Sequence, residues 1–88
     1  MNIVDIRSTI LAVFVEVARD QRVRLVPLTD DLPLIESGLD SLCIATIVTR
    51  LEETLGCNPF DTDEQIDFPV TVGDFIRLYA DAILPRAS

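Results

Sequence analysis

The chain has 88 residues, 49% of them hydrophobic, which suits one folded domain with a small core and argues against disorder. Fifteen acids against seven bases give a net charge of −8, the wrong sign for a nucleic-acid binder. There is no histidine to complete a metal site with the two cysteines, and no apolar run is long enough for an export signal or a membrane span.

The first element is a helix over about residues 2–20. Ile3, Ile6, Ile10, Phe14 and Val17 recur at helical spacing, Leu11 and Ala18 widen the stripe, and Asn2 is a good cap. Val4, Val13 and Val15 add apolar surface, so this helix is expected to be well buried. Residues 21–40 read as a long loop with Pro27, Pro33 and Gly38. A loop of that length inside a compact domain needs anchoring. Leu25, Leu28, Leu32, Leu34, Ile35 and Leu39 are the expected anchors, with room for one short helical turn.

The second helix is expected over about 41–55. Its stripe is Ile44, Ile47, Val48, Leu51 and Leu55, its cap is Asp40, and its stop is Gly56, followed by Pro59. A short helix over about 61–67 is capped by Asp61 or Thr62 and ended by Pro69. The last helix spans about 72–84. "TVGD" at Thr71–Asp74 has capping-box spacing, and Val72, Phe75, Ile76, Tyr79 and Ile83 form the stripe. The predicted architecture is all-α, with three main helices, one short helix and a long loop between the first two main helices, in a single domain over 1–88.

Cys43 and Cys57 stand early in and just beyond the same predicted helix, too far apart for a disulfide. They read as reduced thiols of a cytosolic, hence cytoplasmic, protein. Cys43 is expected to be a small packed side chain. Charge is unevenly spread, net +1 over residues 1–28 and −9 over 29–88, so a basic partner is the natural complement to the second segment.

The sequence "SGLDSL" at residues 37–42 places Ser41 at the head of the second helix. As a nucleophile it would need a base, and the chain has neither histidine nor lysine; the second glycine of a nucleophile elbow is also missing. It can simply start a helix beside Asp40. It can also be a point of covalent modification. A phosphate ester there would meet unpaired N–H groups and the positive end of the helix dipole. Asp40 would oppose that phosphate but could hold a metal ion for the modifying enzyme. Gly38 permits a turn that presents the serine outward, and Leu42 offers an apolar contact.

"GLDSL" resembles the attachment motif of acyl carrier and peptidyl carrier proteins, and "FPVTVGDFI" resembles that family's junction into its last helix. Length, acidity and helix order are similar along nearly the whole chain. The resemblance implies a four-helix carrier bundle in which Ser41 bears 4′-phosphopantetheine, fitted from coenzyme A by a phosphopantetheinyl transferase. Asp40, Leu42 and Gly38 belong to the same motif. It implies a non-enzymatic carrier, holding an acyl or aminoacyl cargo as a thioester and meeting partners in trans. Those partners are a cargo-loading ligase, acyltransferase or synthetase and a downstream transfer enzyme, with no nucleic acid or membrane. A monomer is expected. The rival reading is an unmodified helical interaction module.

Two features depart from the fatty-acid-synthesis pattern. Cys43, Ile44, Ala45 and Thr46 follow Ser41 where acids are usual, and acids come only at Glu52 and Glu53. This favours a specialised, secondary pathway and apolar docking through Leu39, Leu42 or Ile47, with Glu52 and Glu53 as the remaining acidic contacts. In the acidic cluster Asp61, Asp63, Glu64 and Asp67, the residues Asp61, Asp63, Gln65 and Asp67 mimic the start of a calcium loop, but Ile66 and Val72 stand where glycine and glutamate are needed. No metal is expected there.

Overall fold

The computed structural model describes residues 2–60 and 68–84. Its elements are α1 (Ile3–Asp20), a 3₁₀ turn (Leu34–Glu36), α2 (Ser41–Leu55) and α3 (Val72–Ile83), with no strand among the described residues. The short helix expected over 61–67, and with it the cluster Asp61, Asp63, Glu64 and Asp67, lies outside the described residues. The architecture is all-α.

Each helix starts where a side chain can accept the N–H groups that the first turn leaves unpaired. Asn2 accepts from Asp5 at 2.9 Å. Asp40 accepts from Cys43 at 2.8 Å. Thr71 and Asp74 form the full reciprocal box, Asp74 N–H to Thr71 Oγ1 at 3.0 Å and Thr71 N–H to Asp74 Oδ2 at 3.3 Å. Aspartate is therefore long enough to serve in place of glutamate. α2 stops at Gly56, whose φ of +68° closes the helix.

The core lies between α1 and the pair α2 and α3. It holds Ile6, Ile10, Phe14 and Val17 from α1, Ile47 and Leu51 from α2, and Val72, Phe75 and Tyr79 from α3, all with no exposed surface. Full burial of each large side chain contributes about 1.5–3 kcal/mol. Phe14 meets Phe75 edge-on at 5.3 Å, and Phe75 meets Tyr79 at 5.1 Å. The Tyr79 hydroxyl is buried with no hydrogen-bond partner among the described residues, and that burial pushes its titration far above the usual tyrosine range.

α1 is buried on one face only. Ile3, placed on the predicted stripe, and Val4 and Val15, placed beside it, are exposed, against the expectation of a well-buried helix, whereas Val13 is buried. The helix packs on two neighbours along one face; Val4 and Val15 lie off that face, and Ile3 is the first residue of the helix, ahead of the buried stretch that starts at Ile6.

The long loop is held by its backbone as well as its leucines. Leu34 N–H donates to Val70 C=O at 2.8 Å, Val72 N–H to Leu32 C=O at 2.9 Å and Gly73 N–H to Asp30 C=O at 2.9 Å. These bonds tie the loop to the start of α3. Arg7 pairs with Asp30, and Arg50 pairs with Asp20 at 2.6 Å, fixing α1 to the loop and α2 to the end of α1. Both pairs are exposed enough that each is worth well under about 1 kcal/mol. Leu34 and Leu39 are buried and Leu25, Leu28 and Leu32 pack partly against the core. Ile35 does the opposite: it is 90% exposed and pins nothing.

Candidate functional site

Ser41 is the first residue of α2 and lies exposed at the surface. The chain reaches it through a tight turn. Ser37 ends the 3₁₀ turn, Gly38 takes a φ of +102°, Leu39 inserts into the core, and Asp40 caps α2 from an extended conformation. Residues 23–26 run beside this turn: Val26 N–H donates to Ser37 C=O at 3.3 Å.

Gly38 is required on two counts. Its φ lies where side-chain-bearing residues are strained. A Cβ built there would also sit 2.5 Å from the Arg24 carbonyl oxygen.

The Cys43 N–H bond holds the Asp40 carboxyl below its ordinary titration range, so it is an anion at neutral pH. Cys43 is buried, and burial raises its thiol titration. Both cysteines are free thiols, and Cys43 is the small packed side chain that the sequence leads one to expect. Among the described residues no group of acids and cysteines could hold a metal ion.

Beside Ser41 opens a groove of about 570 Å³. Ser41 and Asp40 stand on it, and the rest of its lining is aliphatic or aromatic, including Ile35, Ile44, Ala45, Val48, Phe60 and Phe68. Phe60 stacks on Phe68 at 5.8 Å and meets Tyr79 edge-on at 6.4 Å, so the groove wall is continuous with the core. Around it, Leu42, Phe68 and Val70 each expose more than half of their surface.

The structure divides the site residues named from sequence. Ser41, Asp40, Gly38 and Leu42 come together at the head of α2. Leu39 and Ile47 do not offer docking surface: Leu39 is buried and Ile47 has no exposure at all. Leu39 is the anchor that seats the turn, and Ile47 lies on the α2 face turned into the core. Glu52 and Glu53 are exposed but lie eleven residues further along α2, about 16 Å away. Glu52 also accepts a hydrogen bond from Asn58 at 3.0 Å. No acid stands in the first turn of α2. Sequence reasoning missed Ile35, Phe60, Phe68 and Ser37. The first three were legible only as apolar residues outside any helical stripe.

This geometry suits a hydroxyl that is acted on. Ser41 is reachable, has no base of its own in a chain without histidine or lysine, and stands where backbone N–H groups favour an anion. No helix among the described residues is long and apolar enough to cross a membrane. A protein-family model described as "Phosphopantetheine attachment site" matches residues 8–78. Neither the curated proteins nor the solved structures hold a match to the chain.

Proposed function

Because the chain belongs to the phosphopantetheine attachment-site family, whose members carry 4′-phosphopantetheine covalently, we propose that Ser41 is the attachment residue and that the protein carries thioester cargo to partner enzymes. The observation that carries this reading is an exposed serine at the capped head of α2, on the rim of an apolar groove. When bound, the arm supplies a flexible thiol that keeps its cargo at high local concentration near a docked partner. The chain's own contribution is placement. Asp40 caps α2, Gly38 allows the turn, and the positive end of α2 would favour an ester phosphate on Ser41. As the Ser41 oxygen forms the phosphate ester, the pyrophosphate linkage of coenzyme A breaks, adenosine 3′,5′-bisphosphate leaves, and the Ser41 proton passes to a base of the transferase. Incubation with coenzyme A and a broad-specificity phosphopantetheinyl transferase is expected to add one arm, read as intact mass. A chain left unmodified by a transferase active on a control carrier would overturn the reading.

The groove supports an acyl cargo over an aminoacyl one. An apolar chain finds cover along Ile44, Val48 and Phe68, whereas among the described lining residues an ammonium group finds only Asp40, already engaged by Cys43. Loaded with acyl chains of increasing length, the protein should melt at progressively higher temperature, since each added methylene is covered only in the folded state. A flat series would contradict this.

Partners that reach Ser41 meet Ile35 and Leu42, 90% and 65% exposed, rather than an acidic stripe. Leu42→Ser and Ile35→Ser are expected to raise the KM for the carrier in the transferase reaction severalfold and to leave Tm unchanged. The wild-type KM should depend weakly on salt. A steep salt dependence would point instead to charge-led docking.

A further inference from the structure

We infer that Ser37 is a positioning residue for modification at Ser41; this rests on the attachment reading above. Ser37 is the one buried polar residue among those described, with no exposed surface. Every polar atom it offers is engaged. Its hydroxyl donates to Leu34 C=O at 2.6 Å and accepts from Leu39 N–H at 3.3 Å. Its N–H donates to Leu34 C=O at 3.1 Å, and its C=O accepts from Val26 N–H at 3.3 Å. Three segments therefore converge on this residue: the stretch at 23–26, the 3₁₀ turn, and the turn into α2.

The arrangement acts on Ser41 through the backbone. Gly38 at φ +102° is the joint of the turn, and a joint without a side chain is free to move unless both sides are held. Leu39 holds one side by inserting its side chain into the core. The Ser37 hydroxyl spans the joint, bonded to Leu34 before it and to Leu39 after it. Asp40 and Ser41 follow directly, so the direction in which the Ser41 hydroxyl leaves the surface is set by that bridge. Removing the hydroxyl leaves the buried Leu39 N–H without its partner and the joint held by packing alone.

The test is steady-state transfer from coenzyme A by a broad-specificity phosphopantetheinyl transferase, with wild type, Ser37→Ala, Ser37→Cys and Ile10→Val compared at a temperature where all are folded. Ile10→Val trims the core on α1 and serves as the destabilised control. Ser37→Ala should lower kcat by about tenfold or more with little change in the carrier's KM, because docking through Leu42 and Ile35 survives while the hydroxyl is misdirected. Ser37→Cys, whose thiol is a weaker donor and acceptor, should fall between. Ile10→Val should keep the wild-type kcat. A wild-type kcat in Ser37→Ala, or an equal loss in Ile10→Val, would overturn the positioning role while leaving attachment at Ser41 intact. A wild type that accepts no arm would overturn the attachment reading itself.

Discussion

Ser41→Ala is expected to abolish the gain of a pantetheine arm completely while leaving the fold in place. The side chain is exposed at the first position of α2, where alanine is a good helix former, and the cap belongs to Asp40. Loss of the hydroxyl therefore removes the acceptor and little else, and Tm should stay within a few degrees of wild type. Among the described residues no neighbouring hydroxyl is placed to substitute. Ser37 is buried, and Thr46 donates its hydroxyl to Leu42 C=O at 3.0 Å. Intact mass after transferase treatment and a thermal melt check both halves of the expectation. A modified Ser41→Ala would place the acceptor elsewhere. Full biological activity in Ser41→Ala would favour an unmodified interaction module.

Gly38→Ala is expected to be the most damaging single-methyl change in the turn, and Gly56→Ala is its natural control. Both glycines have positive φ, +102° and +68°. At Gly56 the added Cβ meets nothing within 4 Å, so the cost is the left-handed backbone alone, about 1–2 kcal/mol. At Gly38 the Cβ would lie 2.5 Å from the Arg24 carbonyl oxygen, a backbone atom that moves only if the stretch beside the turn moves. Backbone strain of about 1–3 kcal/mol is then joined by a collision. At roughly 4–8 °C per kcal/mol for a domain of this size, Gly56→Ala should lower Tm by about 4–16 °C and Gly38→Ala by clearly more. Gly38→Ala should also slow modification of Ser41, because the turn must open to admit the methyl group. Equal Tm losses for the two variants would mean that the Arg24 contact does not constrain the turn.

Much of the fold could be read from local chemistry. Asp40, Gly56 and the Thr71–Asp74 box are start and stop signals whose physics is confined to one turn, and each acts as its residue type suggests. The stripe Ile6, Ile10, Phe14 and Val17 was equally plain, since a four-residue period permits one buried face. What escaped depended on contacts between distant segments. Ile44, Ile47 and Val48 share one apolar stripe, yet Ile47 is sealed in the core while Ile44 and Val48 line the groove. Periodicity reports a stripe and not which edge of it is covered. In the loop, Leu39 and Ile35 were both read as anchors, Leu39 also as a docking residue, yet Leu39 is buried and Ile35 exposed, because no period governs an irregular segment. Ser37 gave no signal at all: a serine beside a glycine reads as an exposed turn, and its burial follows only from the stretch at 23–26 passing beside it.

The head of α2 combines reach, charge and shape in a few residues. Ser41 is open to solvent, Asp40 is spent on capping, and the groove behind them is apolar. Nothing among these residues activates a nucleophile, and everything among them presents one. The most direct measurement is fragmentation mass spectrometry of the protein purified from its natural source. The account predicts a single phosphopantetheine, free or bearing an acyl group, on the fragment that contains Ser41. An unmodified Ser41 throughout the population, or an arm on another residue, would contradict it.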